Sequence, residues 1–421
     1  MRPPVFLILL VLLAGSAAAT LQLNPNTIGE MKATAQLHAT VDINGNTTAQ
    51  DRLEIRMLTF SDDEHQHTTD RSDKLVIKDK TLEPTYETKN NSRYALYTVS
   101  NLAQYGQEFR IDIYSNATIE TTTSFLLNTD YNLATPITEN TEFLKPSAYI
   151  ETDDPALIAK TNIQFQSDSQ LETIRQITDW MHDNITYDFE NYYNGVWSAK
   201  QTYENRAGVC DEFANLSAAF LRIKGIPTRY VAGISFDGTR FGNHGWLESF
   251  LPGTGWIPID TTYGEAGYLD AMHIAVGKAN DTNNLQNLAI TTTSSHALTV
   301  SAILQDPYID TNNLTYQTIQ KLTQIRIQTP GKIGSRQPFQ IKTVLTNQTN
   351  HPLIVPLELS LHPDFEYTHK TKQILLAANG QTAIDWNAVS PANAQLGYLT
   401  TYELRLSAPD QTVDANLVID P

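Results

Sequence analysis

The stretch Gly208-Val209-Cys210-Asp211-Glu212-Phe213-Ala214-Asn215-Leu216, running on to Gly225-Ile226-Pro227, restricts the fold of this chain more than any other. Phe213, Leu216, Phe220 and Leu221 recur at helical spacing and form one apolar stripe that must be buried. Gly208 supplies a flexible approach, and Asp211 and Glu212 are first-turn acids suited to the positive end of a helix dipole. Gly225 is the expected C-terminal stop, with Pro227 just beyond it. The helix therefore begins at Cys210, the only cysteine in 421 residues. A thiol in the first turn feels unpaired backbone N–H groups, which favour the thiolate. The competing reading, and for a lone cysteine the commoner one, is a small buried hydrophobe.

Downstream, Asn243-His244-Gly245-Trp246-Leu247-Glu248-Ser249-Phe250 alternates as a half-buried strand does, with His244, Trp246, Glu248 and Phe250 on one face. Leu251-Pro252-Gly253-Thr254-Gly255 reads as a turn, and Trp256-Ile257-Pro258-Ile259-Asp260 as the returning strand. A hairpin centred on Gly253 sets Asp260 opposite Trp246 and diagonal to His244 on the same face, within reach of its imidazole. A slip of one residue would send the two side chains to opposite faces. Taken singly, His244 is the kind of strand histidine that sits partly exposed without a chemical task.

Residues from about Phe143 to Ile274 resemble the transglutaminase-like superfamily, a branch of the papain-like thiol enzymes. The matching pieces are Ala148 to Pro155, Ile177 to Tyr187, the Cys210 helix, Gly225 to Gly233, the His244-Gly245-Trp246 strand and Gly255 to Thr262. They cover about a third of the chain in the family's order. The resemblance implies Cys210 as nucleophile, His244 as general base and Asp260 as its orienter. Gly245 stands where alanine is common and Thr261 where proline is common, and neither departure removes a functional group. The expected fold class is α+β: a papain/transglutaminase-like core flanked by an N-terminal β-sandwich and a C-terminal immunoglobulin-like β-sandwich.

Residues 1–19 read as a secretory signal, with Arg2 as the positive start, Val5 to Leu13 as the apolar core and Ala17-Ala18-Ala19 before the cleavage point. The apolar run is too short to stay as a membrane span, and no second such run follows. A secreted or extracytoplasmic location is therefore expected. The net charge of −17 argues against nucleic acid and anionic membranes as partners. About 400 residues exceed one hydrophobic core, and four segments are expected: the signal at 1–19, an N-terminal β-rich domain at 20–142, the catalytic domain at 143–305 and an immunoglobulin-like sandwich at 320–421. In the N-terminal part, Ala39 to Ile43, Leu53 to Leu58, Phe109 to Tyr114 and Ser124 to Leu127 read as strands, with a hairpin signal at Asn44-Gly45. Near the end, Phe339 to Leu345, Ile354 to Leu361 and Thr401 to Leu406 do the same.

Residues 169–185 form the second clear helix, with Ser169 and Glu172 at capping-box spacing and a stripe of Leu171, Ile174, Ile177, Met181 and Ile185. Trp197 and Gln201 are candidate side-chain oxyanion donors, against the ordinary role of an aromatic as packing mass. The backbone N–H of Cys210 is the better-founded donor. Asp62, Asp63, Glu64, His65 and His67 could suggest metal binding, but the cluster lacks a recognised ligand spacing and reads as a solvated loop. No metal and no cofactor is expected. Asn215 lies in a glycosylation sequon, but within the helix it is expected to be unmodified.

The implied chemistry is acyl transfer through a thioester on a protein or peptide substrate, including one at a cell surface. Water as acceptor makes a cysteine peptidase or amidase, which is favoured, and an amine makes a cross-linking acyltransferase. The alternative is a non-catalytic surface or adhesion scaffold that retains the fold, since fold alone does not establish function.

Overall fold

The computed structural model describes residues 27–420 apart from 124, 126, 191–194, 283, 284, 286, 369 and 393–398. The expected signal at 1–19 lies outside the described residues, as do two positions of the expected strand Ser124 to Leu127.

The N-terminal part is two antiparallel sheets over one apolar core. Its long strand, Ile28–Gly45, alternates buried and outward residues along most of its length and pairs throughout with Glu108–Thr122. Asn44-Gly45 does not close a hairpin: the next strand, Arg52–Thr59, belongs to the other sheet and pairs with Ser92–Ser100. The turn signal is satisfied by a change of sheet, because Gly45 (φ +147°) is the point where the chain turns away.

Before residue 305 the chain leaves the core sheet and pairs again with the N-terminal sheets. Leu288–Thr293 pairs with Arg52–Thr59, while Leu298–Leu304, Tyr308–Ile309 and Thr315–Thr318 all pair along Ile28–Gly45. The chain returns to the N-terminal sheets because an unpaired strand edge leaves a row of N–H and C=O groups without partners. This stretch is polar and hard to read in the sequence, and nothing in it shows which edge its short strands fill.

Among the described residues, the core places four α-helices beside a five-stranded antiparallel sheet. Helix α1 (Pro155–Gln164) is capped by Asp154, whose carboxylate accepts from the N–H groups of Ala156 and Leu157. Helix α2 (Gln170–Asn184) is capped by Ser169, α3 (Ala199–Asn205) by Ser198, and α4 is Cys210–Ile223. The sheet runs Glu265–Ala266, Gly255–Asp260, Phe241–Leu251, Thr228–Phe236, Ile274–Ala279. Leu247 pairs with Ile259 and Phe250 with Trp256, so the hairpin has the register centred on Gly253. Its first strand is not half-buried as expected: every residue from His244 to Leu251 is buried. The strand lies inside the sheet, and both sheet faces are covered: α4 packs on this strand, and Ile234, Phe236, Ile274 and Val276 join the N-terminal core.

The C-terminal part is again two sheets, one of four and one of five strands, enclosing Trp386, Ile341, Leu357 and Leu404. It docks on α2: Arg175 donates to the carbonyl of Gln373 at 3.1 Å, and the Gln373 N–H donates to Asp179 at 2.8 Å.

Candidate active site

Helix α4 starts at Cys210 because Glu212 folds back to meet the chain before it. Its carboxylate accepts from the backbone N–H of Val209 at 2.9 Å and of Trp197 at 2.7 Å. That return needs Gly208, since a Cβ there would collide with the Glu212 side chain. The glycine is thus required by close approach as much as by flexibility. At the other end Gly225 takes φ +80°, and Ile226 N–H closes on the Leu221 carbonyl at 3.0 Å, ending the helix as expected.

His244 and Asp260 meet as the hairpin parity requires. His244 Nε2 lies 2.5 Å from Asp260 Oδ2, and both side chains are buried. Asp260 Oδ1 accepts from the N–H groups of Thr262 (2.8 Å) and Tyr263 (3.3 Å). Four donors therefore converge on this carboxylate once the Nε2 of His273, 3.2 Å from Oδ2, is included. Burial alone would raise the Asp260 pKa, but His244 and His273 outweigh it and hold it well below the ordinary carboxylate range. With Nε2 turned to the carboxylate, the His244 nitrogen left for a thiol proton is Nδ1.

Cys210 is half-buried and lines, with His244, a cavity of about 290 Å³. The far wall of this cavity comes from the N-terminal sheets through Leu37, Met57, Leu58 and Leu304. The expectation that the helix start favours thiolate is corrected. Burial, followed by the nearby Asp211 carboxylate, pushes the Cys210 thiol well above its usual pKa, opposed by the Gly245 N–H that donates to the sulfur. A desolvated anion beside two acids costs more than a helix terminus returns.

The glycine at 245 has its own cause. A Cβ at that position would collide with the Tyr230 hydroxyl and sit 2.8 Å from Asp211 Oδ1, where Tyr230 donates to Asp211 at 2.7 Å. The space that a methyl group would take is filled here by this hydrogen bond.

The two candidate oxyanion side chains fare differently. Gln201 is spent on its own helix: its Oε1 accepts from the Ser198 N–H at 3.0 Å and completes the capping box of α3. That bond occupies the amide oxygen, and Gln201 is not among the residues lining the Cys210 cavity. Trp197 is pinned through its backbone, between Glu212 and Asn215, and is not among the residues lining the Cys210 cavity. The Asn215 amide donates to the Trp197 carbonyl at 3.1 Å from a fully buried position. Asp63 makes an ion pair with Lys278 at 2.6 Å, and His67 lies 3.3 Å from Asp62.

Three residues at the site went unread in the sequence. Tyr263 stacks on His244 with ring centres 4.7 Å apart, and Tyr230 braces Asp211. His273 contacts Asp260, and neither it nor Tyr230 carries a spacing signal that could have singled it out. Tyr263, three residues after Asp260, could have been found by considering the turn beyond the returning strand. Among the described residues, His244, Asp260 and His273, and likewise Glu265, Asp270 and His273, bring possible metal-ligating atoms within 4.8 Å of one another. In both groups the imidazole nitrogens bonded to carboxylate oxygens would have to give up those contacts to bind a cation.

Residues 159–261 match the family model of the transglutaminase-like superfamily, Transglut_core. Over that stretch the chain is similar to a transglutaminase-like core. Among curated proteins, a 116-residue segment is 25% identical to the uncharacterized protein YebA of Bacillus subtilis, covering 23% of this chain and 16% of that protein. A 71-residue segment is 35% identical to a protein-glutamine gamma-glutamyltransferase of Pseudomonas aeruginosa, covering 14% of this chain and 11% of that one. The match thus spans less than a fifth of either relative. The crystal structure of a candidate cysteine protease from Cytophaga hutchinsonii superposes on 68% of this chain and 98% of its own, with a TM-score of 0.45 and 21% identity.

Proposed function

We propose that this chain is an exported thiol enzyme that cleaves peptide or carboxamide bonds through Cys210, His244 and Asp260. The observation that carries the reading is the 2.5 Å contact of buried Asp260 with His244, a residue that lines one cavity together with Cys210. His244 Nδ1 takes the thiol proton as the sulfur attacks the substrate carbonyl, and Asp260 keeps the ring in the required tautomer. Because the resting thiol is held protonated, this transfer accompanies attack instead of preceding it. The Cys210 N–H, at the start of α4, is available to the oxyanion. His244 returns the proton to the departing amine, leaving a thioester; water then adds and restores the thiol.

A second reading, transfer to an amine in place of water, is favoured by the similarity to the Pseudomonas glutamyltransferase. Activity profiling on peptide libraries and on glutamine–amine pairs, wild type against Cys210→Ala, separates the two and tests both. Turnover of neither, together with no acyl adduct on Cys210 after treatment with an activated ester, would leave a scaffold. Export rests on the Arg2, Val5 to Leu13 and Ala17-Ala18-Ala19 pattern. Sequencing the amino terminus of the protein recovered outside the cytoplasm checks it.

A further inference from the structure

His273 stands just before the strand Ile274–Ala279 and is almost sealed from solvent. Its Nε2 lies 3.2 Å from Asp260 Oδ2, the oxygen that also meets His244. Its Nδ1 lies 3.3 Å from both the side-chain Oδ1 and the backbone carbonyl of Asp270. Both nitrogens thus face oxygens that can only accept, so each must carry a proton and the ring is a cation. Burial opposes that charge, but Asp270 and Asp260 outweigh it and raise the imidazole pKa well above its ordinary value.

The segment bearing this ring is fastened from several sides. Asp270 N–H donates to Glu265 at 3.0 Å, and Met272 N–H to Asp270 Oδ1 at 2.7 Å. Ala271 N–H donates to the carbonyl of Ile28 at 2.9 Å, and the Thr121 hydroxyl donates to the Ala271 carbonyl. Ile28 and Thr121 belong to the N-terminal sheets, so a separate domain sets where His273 stands.

We propose that His273 is a positioning residue for Asp260: a fixed second imidazole that holds the carboxylate oriented toward His244 and shares its negative charge. This rests on the thiol-enzyme reading above. Clamped between two imidazoles and two backbone N–H groups, Asp260 has one rotamer in which Oδ2 meets His244, and the catalytic base is oriented before substrate arrives. The titratable groups around His273 are Asp260, Asp270, Glu265, His244 and Tyr263, with Asp63, His65 and Glu248 along the groove behind it.

The test measures acylation of Cys210 by p-nitrophenyl acetate across pH in the full chain, with folding followed by circular dichroism and Tm. His273→Ala, losing donor and charge, is expected to acylate about ten- to a hundred-fold more slowly than wild type. His273→Gln keeps an N–H for Asp260 and should recover most of that loss. With the neighbouring charge gone, its pH–rate profile should no longer superpose on that of wild type. A folded His273→Ala with the wild-type rate and pH profile overturns the proposal, and so does a His273→Gln as slow as the alanine variant. Zinc bound by wild type and lost from His273→Ala would also overturn it, making the ring a ligand. If instead wild type itself acylates no faster than His244→Ala, the thiol-enzyme reading has failed first.

Discussion

At the residue scale, Cys210 and Asp260 illustrate how surroundings override local chemistry. The thiol sits at a helix start, yet burial and Asp211 push its pKa up. The carboxyl is more deeply buried, yet two imidazoles push its pKa down. The sign of each shift sets a stability window. Asp260, depressed in the fold, contributes stability that is present above about pH 4 and is lost as pH falls through the folded value. His273, raised in the fold, contributes stability that is full below about pH 6.5 and is lost as pH rises through its folded value. Urea midpoints across pH should therefore fall more steeply on the alkaline side for wild type than for His273→Gln. Equal alkaline slopes would mean the ring is neutral in the fold. Gly245→Ala, which adds a single methyl, is expected to destabilise by about 1–3 kcal/mol because that methyl must displace the Tyr230–Asp211 bond. A Tm within experimental error of wild type would refute that account.

At the element scale, α4 depends on one side chain that sequence spacing only half reveals. Glu212 was legible as a first-turn acid, but its service to both Val209 and Trp197 follows from a strand and a loop meeting there. Glu212→Ala leaves two N–H groups without their acceptor and should cost about 1–3 kcal/mol by denaturant titration. It should also loosen the start of the helix that carries the sulfur. By contrast, the Ser169 and Glu172 pair at α2 forms half the expected box. Ser169 Oγ accepts from the Glu172 N–H at 3.0 Å, while the Glu172 carboxylate turns to Arg175 at 2.6 Å. A guanidinium within the same turn is the stronger partner for that acid. The register of the histidine hairpin was legible, because it comes from one turn and a period of two, while the full burial of its first strand was not.

At the scale of the whole molecule, the N-terminal sheets do more than flank the core. They line the Cys210 cavity, hold the segment bearing His273, and share an ion-pair cluster with the central sheet. In that cluster Lys278 meets Asp63 at 2.6 Å and Glu248 at 2.9 Å, and Arg229 meets Glu248 at 2.6 Å. Lys278→Met removes the cation between two carboxylates and is expected to cost about 3–5 kcal/mol. The loss should show as a lowered urea midpoint, with the N-terminal sheets and the core no longer unfolding together. A single unchanged transition would mean the interface is held by its apolar contacts alone.

The sequence by itself determined whatever depends on neighbours along the chain: the start and stop of α4, the parity that puts His244 and Asp260 on one face, and the alternation of the outer strands. These arise from the periods of helix and strand and from turn chemistry, which act within a few residues. Tertiary structure alone decided the return of Leu288–Thr318 to the first sheets, the protonation of the Cys210 thiol, the diversion of Gln201 to a cap and the arrival of His273 beneath Asp260. Each of these is settled by burial or by a partner far along the chain, and pairing and desolvation energies have no period for a sequence to display.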